Sequence, residues 1–221
     1  MSVRLVSYSQ GPDIDSSDLN QNIEELVAYC ARVSNPTGQM NTETNEKLLK
    51  YLMKHSHWSP FEMVSICLEI DTTRDIAHQI VRHRSFAFQE FSQRYAMPTD
   101  MGSYPYVLRE ARLQDTKNRQ NSIEIDDEEL KRKWIAQQKK VINTSQSVYD
   151  WAIENGIAKE QARAVLPEGL TKTRLYMNGS LRSWIHYIGL RSSNGTQKEH
   201  MDIAIACAEA ISKIFNPINN I

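Results

Sequence analysis

Residues 62–71, EMVSICLEID, place Val64, Ile66, Leu68 and Ile70 at every second position. Successive side chains on a strand point to opposite faces, so this spacing predicts a strand with one face in a core and the other left for polar groups. The chain runs on into TTRDIAHQIVRH, where two threonines and an early aspartate offer helix caps and Ile76 and Ile80 stand one turn apart. A half-buried strand feeding a helix calls for a sheet with helices packed against it. The expected fold is an α+β single domain over residues 1–221, a mixed sheet flanked by helices.

The remaining elements fit that plan. VRLVSY near the start alternates weakly and reads as an opening strand. Residues 13–33 carry cap residues and then Leu19, Ile23, Leu26, Val27 and Cys30 at helical spacing. Residues 42–57 predict a second helix that buries Leu48, Leu49, Leu52 and Met53, followed by a turn around Pro60. Residues 99–126 are polar and irregular and read as a mobile surface segment. The longest helix is expected over 126–156, with Leu130, Trp134, Val141, Val148 and Tyr149 as its apolar seam and Gly156 as its stop. AKEQARAVLP predicts a helix ended by Pro167, LTKTRLYM a strand, SLRSWIHYIGLR a helix and KEHMDIAIACAEAISKIF a closing helix.

Composition removes several function classes. Net charge is −1, from 26 basic and 27 acidic residues. That balance argues against a protein built to coat nucleic acid, so any anion site must be local. No apolar run reaches the ~20 residues of a membrane span, and the first residues lack a secretory leader, so the expected compartment is the cytoplasm. The three cysteines, Cys30, Cys67 and Cys207, are far apart in apolar patterns and read as reduced core residues with no metal site. Eight glycines occur, and none builds a dinucleotide or Walker loop. Any phosphate must be held by side chains or by amides elsewhere.

The stretch VRHRSFAFQEFSQRY, residues 81–95, combines Arg82, His83, Arg84, Glu90 and Arg94 with three phenylalanines and Tyr95. If residues 86–94 are extended, Glu90, Ser92 and Arg94 share one face, and Gln89, Phe91 and Gln93 the other. A guanidinium offers a rigid fork of donors that suits phosphate oxygens, and serine adds another. Three arginines with one nearby acid leave an excess of positive charge that calls for an outside anion. Ser92 is a poor nucleophile candidate, because its nearest histidine in the motif, His83, is nine residues away.

Arg82-His83-Arg84, seven residues, then Ser92 resembles the signature of the flavin-dependent thymidylate synthases, and Gln93-Arg94-Tyr95 continues the likeness. YLMKHSHWSPFE, ARAVLP and SLRSWIHYIGLR extend it over roughly residues 45–200. The resemblance implies reductive methylation of dUMP to dTMP. Methylenetetrahydrofolate would be the carbon donor and NADPH, through FAD, the reductant, in a homotetramer with active sites between subunits. It implies that Gln79, Arg82, Glu90, Ser92, Gln93, Arg94, Arg163 and Arg191 contact dUMP. It implies that Ser59, Arg82, His83, Arg84, Glu90, Ser180, Arg182 and His186 contact FAD. Arg191 would lie beside the uracil ring as the catalytic residue, where a fixed positive charge stabilises negative charge on the pyrimidine. His57 reads equally as a cap or core histidine. Two positions depart from the family pattern. Ser180 stands where asparagine is frequent, with Asn178 two residues earlier, and Gly195 stands where histidine is frequent.

Two other functions fit the same arginines. A non-catalytic nucleotide- or RNA-binding protein would stack bases on the aromatics and lose binding steeply with salt. A helical scaffold would use the arginines only to pair with acids across subunits.

Overall fold

The computed structural model describes residues 1–11 and 22–220. Six strands and seven α-helices are formed by these residues. They are β1 (Ser2–Tyr8), α1 (Ile23–Ala31), α2 (Asn45–Lys54), β2 (Ser65–Thr73), α3 (Arg74–Ile80), β3 (Phe86–Glu90), β4 (Arg112–Gln114), β5 (Ser122–Glu124), α4 (Glu128–Glu154), α5 (Lys159–Ala162), β6 (Lys172–Ser180), α6 (Leu181–Arg191) and α7 (Lys198–Ser212). Leu19 and the first part of the helix expected from residue 13 lie outside the described residues. The described part of that helix is capped by Asn22, whose side chain accepts from the Glu24 amide.

The main sheet has the order β1-β2-β6-β3, and every pairing in it is antiparallel. The α+β expectation holds, but the sheet is not mixed. Its longest ladder runs from Ser65↔Ser180 to Thr73↔Lys172. The alternation read in residues 62–71 is the buried face: Val64, Ile66, Leu68 and Ile70 are fully buried, with Leu175 and Met177 beside them from β6. α3, α6 and α7 cover that face with Ile76, Ile80, Trp184, Ile203, Cys207 and Ile211. Trp184 satisfies its indole N–H on the Ile66 carbonyl at 3.0 Å, so this bulky ring buries no orphan donor. The opposite face is a polar ladder in which Arg4 meets Glu69 and Arg174 meets Asp71, at 2.9 and 2.7 Å. Cys207 is buried as expected, whereas Cys30 and Cys67 are only half-buried.

Gly179 shows why β6 carries a glycine opposite β3. A β-carbon there would stand 2.4 Å from Cδ1 of Phe86, its partner across the ladder. The Phe86 ring cannot yield, because it is wedged edge-on against Trp184 at 4.9 Å and Tyr187 at 5.9 Å. Gly179→Ala is therefore expected to destabilise the fold by about 1–3 kcal/mol through overpacking. Thermal unfolding should show a midpoint lower by roughly 3–10 °C, and an unchanged midpoint would remove the argument.

Two expectations fail for tertiary reasons. Residues 99–126 are not simply an exposed loop. Tyr106 is buried and bridges to Thr171, and β4 and β5 form a hairpin. Gln138 of α4 pins this segment by accepting from the Arg109 amide at 2.7 Å and donating to the Arg109 carbonyl at 3.0 Å. The expected seam of α4 is the second failure. Tyr149 is buried with Ala152, Ala162 and Leu166, but Leu130, Trp134, Val141 and Val148 are all exposed. Too little of the chain reaches that side of a 27-residue helix to cover it.

Candidate active site

α3 ends at Ile80, and Val81 caps it. Arg82, His83 and Arg84 lie past this end and not in the last turn, because the chain bends at once: the His83 amide reaches Ile80 and the Phe86 amide reaches His83. The bend sends Arg82 and Arg84 outward, exposed, and His83 inward. His83 accepts a hydrogen bond at Nε2 from Nε of Arg191, at 2.9 Å, and packs edge-on against Tyr187. Burial and the Arg191 charge both push the His83 pKa below its ordinary value, so the ring is neutral at pH 7. Arg191 reaches this point because it is the last residue of α6, where a cation complements the helix dipole. No described carboxylate pairs with Arg82, Arg84 or Arg191, whereas Arg74, Arg109, Arg112 and Arg174 each have one.

Ser180 and Arg182 of the expected flavin set stand at the start of α6 and His186 one turn further on, whereas His83 lies at the other end of that helix and Glu90 at the far end of β3. Ser180 caps that helix by accepting from the Ser183 amide at 3.2 Å. Ser183 donates to the Ser85 carbonyl at 3.4 Å, which ties α6 to the arginine turn. Arg182 donates to Glu62 at 2.7 Å, and Glu62 closes the short turn that begins at the exposed Ser59. Ser180 and Arg182 together hold the Glu62 carboxyl below its usual range. His186 meets Trp58 edge-on at 4.8 Å. His57 is exposed and stands 6.1 Å from the Tyr51 ring, so it is neither a cap nor a core residue.

The extended run expected through residue 94 stops earlier. β3 ends at Glu90, and the chain then turns, with the Tyr95 and Ala96 amides both reaching the Ser92 carbonyl. Glu90 accepts from Thr173 at 2.8 Å and pairs with Arg74 at 3.4 Å. Gln93 is buried and its Nε2 has no partner. Arg94 approaches Glu160 at 3.8 Å and lies over the Tyr95 ring. Arg163 donates to the Glu160 carbonyl at 3.4 Å, so Glu160 joins these two arginines and Ser92 into one patch. Among the described residues no contact links Arg94 or Arg163 with Arg82 or Arg191. Within one chain the expected site is thus split in two parts.

The sequence reading missed a buried network behind Gln79. Gln79 donates to Gln197 at 2.8 Å, and Gln197 donates to Glu199 at 2.9 Å. Arg112 donates to Glu199 and Arg109 stands 3.5 Å from it. Burial raises the Glu199 carboxyl, but Gln197, Arg109 and Arg112 override that and leave it below its usual range. On the other side Nδ1 of His200 meets Oε1 of Gln79 at 3.3 Å, and Nε2 of His200 meets the Tyr187 hydroxyl at 3.1 Å. His200 is fully buried, and burial followed by the Arg191 charge holds its pKa at about 4. A signal was present: Glu199 and His200 stand four residues before the buried Ile203 and Ala204, on the face of α7 that the core covers. A cavity of about 310 Å³ lies beside Arg109, Arg112 and Lys198, but Glu110 and Glu124 also line it and pair with Lys198.

Gly195 sits in the loop after α6 at φ +95°. A histidine would be strained there, so the absence of an imidazole is built into the backbone. A β-carbon would instead face the Gln120 amide of the β4–β5 hairpin at 3.9 Å.

An antiparallel sheet covered by helices defines an α+β domain, and among its described residues the guanidinium groups just past α3 and at the end of α6 have no carboxylate partner. Residues 17–216 match the family described as thymidylate synthase complementing protein. The chain is 49% identical over 218 residues to a "probable flavin-dependent thymidylate synthase" of Paramecium bursaria Chlorella virus 1, covering 99% of this chain and 97% of the other. It is 50% identical over 216 residues to the flavin-dependent thymidylate synthase of a Synechocystis species, covering 97% and 96%. A solved structure, a UMP/dUMP methylase PolB from Streptomyces cacaoi bound with 5-Br dUMP, superposes with a TM-score of 0.81 at 24% identity, covering 99% of this chain and 93% of that one. The last likeness shows the fold. The chain belongs to the flavin-dependent thymidylate synthase family of enzymes.

Proposed function

We propose that the enzyme methylates dUMP to dTMP in the cytoplasm, with methylenetetrahydrofolate as carbon donor and NADPH, through FAD, as reductant. The observation that carries this reading is the trio of unpaired arginines. Arg82 and Arg84 are exposed on the turn that Ser85 ties to the start of α6, and no described carboxylate pairs with them, whereas the half-buried Arg109 and Arg112 are paired. Such forks, with Ser59, Ser180, Arg182, His83 and His186 on neighbouring segments, suit a pyrophosphate and its sugars, so this donor set fits FAD; Glu90 lies apart from it, beside Arg74. When bound, the flavin supplies hydride chemistry that side chains lack. Arg94, Arg163 and Ser92 form a patch suited to the nucleotide phosphate. Arg191 has its Nε committed to His83, which fixes the plane of the guanidinium and leaves its Nη groups for the pyrimidine.

Completion of the site by a neighbouring copy in a homotetramer explains why the two arginine groups do not meet within one chain. The exposed stripe on α4 supports self-association. Trp134, Val141 and Val148 recur every seven residues and Trp151 adjoins them, all exposed on a helix about 40 Å long. No helix among the described residues is long and apolar enough to cross a membrane. The absorbance spectrum of the purified protein tests the cofactor, and tritium release from dUMP labelled at carbon 5 tests the reaction. A colourless protein that binds RNA with steep salt dependence would overturn the reading in favour of nucleic-acid binding.

A further inference from the structure

We infer that Glu199, Gln197 and His200 set the pyrimidine specificity of the enzyme by fixing which way the Gln79 amide points. This rests on the proposed contact between Gln79 and the nucleotide. The direction of every hydrogen bond in the chain follows from its ends. Glu199 is buried between Arg112, Arg109 and Gln197, and an ionised carboxylate can only accept. Gln197 must therefore turn its NH₂ toward Glu199 and its carbonyl toward Gln79. Gln79 must in turn donate from Nε2 to Gln197, at 2.8 Å, which leaves Oε1 facing His200. An oxygen there demands a proton on Nδ1 of His200, so Nε2 carries the lone pair and accepts from the Tyr187 hydroxyl at 3.1 Å. Tyr187 is buried and serves as the donor that closes the chain.

Six side chains thus agree on one orientation of Gln79, which is itself only half-buried and accessible to a ligand. Its amide keeps one N–H and one carbonyl lone pair uncommitted. A uracil edge presents N3–H beside a carbonyl, a donor next to an acceptor. Cytosine presents the reverse, an acceptor at N3 beside an amino group. An amide locked in one orientation pairs with one of these edges and meets the other donor-to-donor and acceptor-to-acceptor. An amide free to turn would accept both. The buried carboxylate two hydrogen bonds away is what denies Gln79 that freedom, through the Gln197 amide between them.

Glu199→Gln tests this sharply, because it can reverse the whole chain without breaking it. The new amide keeps its oxygen on the guanidinium groups and turns its NH₂ to residue 197. Gln197 and Gln79 then rotate, and His200 adopts the other tautomer and donates to the Tyr187 oxygen. The fold loses one buried hydroxyl donor contact and one charge. Gln197→Leu, at a half-buried position, cuts the link and lets Gln79 turn freely. The measurement is calorimetric dissociation constants for dUMP and dCMP on the flavin-loaded protein, with flavin absorbance and circular dichroism as the check of folding. Wild type is expected to favour dUMP by at least about 100-fold, each mispaired buried group costing roughly ten-fold. In Glu199→Gln the dUMP:dCMP ratio should fall by about 100-fold or invert, and in Gln197→Leu by about ten-fold without inversion. Folded variants that weaken both ligands equally, with the ratio unchanged, overturn the inference. If Glu199→Gln does not fold, the ratio in Gln197→Leu decides alone. A wild-type protein that binds neither nucleotide sinks the substrate reading instead of the orienting role.

Discussion

Arg191→Ala is expected to lower dUMP turnover by about 10²–10³-fold while leaving the flavin bound. The guanidinium sits at the C-terminal end of α6 with Nε locked on His83 and no carboxylate beside it among the described residues. In the proposed complex its charge is therefore available to stabilise negative charge on the pyrimidine, the polarised form in which carbon 5 is the better nucleophile. Such a preorganised charge counts for more at half-buried positions such as His83 and Arg191 than on an open surface. Arg191→Lys keeps the charge but loses the planar fork and the bond to His83, so it should recover only part of the lost rate. The His83 pKa should rise in Arg191→Ala, because part of its lowering, after burial, comes from the Arg191 charge that opposes protonation in the wild type. Single-turnover rates with the flavin spectrum recorded on the same sample distinguish the outcomes. Loss of flavin from Arg191→Ala would assign the residue a structural role, and full turnover would remove it from the chemistry.

Placing glutamates on the α4 stripe should give the second large effect. Trp134→Glu with Val148→Glu puts two charges into a surface that exposes Trp134 at 42% and Val148 at 42% in the single chain. Burying a side chain of this kind between subunits contributes about 1.5–3 kcal/mol, and a charge in its place reverses the sign. Light scattering should show the proposed tetramer replaced by smaller species, with circular dichroism unchanged because neither side chain is part of the subunit core. Activity should fall with the mass, since in the proposed assembly Arg94 and Arg163 face Arg82 and Arg191 of a neighbouring copy. A double variant that keeps the wild-type mass would show that α4 is not the interface. One that falls apart yet keeps full turnover would show that the site is complete within one chain.

The exposed stripe illustrates how far a periodic pattern carries. The spacing of Leu130, Trp134, Val141 and Val148 correctly marks one apolar face of a helix, but it cannot say whether the same chain or another covers that face. In this chain only Ile142, Tyr149 and Ala152 are covered, by the turn around Leu166 and by the segment that Gln138 holds. Similarly, alternation in residues 86–94 is real in the letters and ends at Glu90 in space, because β3 leaves its hydrogen-bonding partner β6 one residue later. Residues 99–126 misled because Arg109 and Arg112 read as surface charges. Their partners Asp75 and Glu199 lie 34 and 87 positions away, and a window along the chain does not see them.

What the sequence determined by itself was local or compositional. The buried face of β2, the stop of α4 before Gly156 and the arginine-rich motif follow from neighbours within a few residues, where backbone geometry dictates the spacing, whereas the threonine cap expected for α3 makes no side-chain cap bond and that helix ends before Arg82. The family membership of the chain rests on those same letters. Tertiary structure alone decided which charges are cancelled and which are left over. Arg109 and Arg112 look no different in sequence from Arg82 and Arg191, yet two meet carboxylates brought from distant segments and two do not. The orientation of Gln79 is likewise invisible along the chain, because Coulomb forces and hydrogen bonds act through space and depend on which groups folding has set a few ångströms apart.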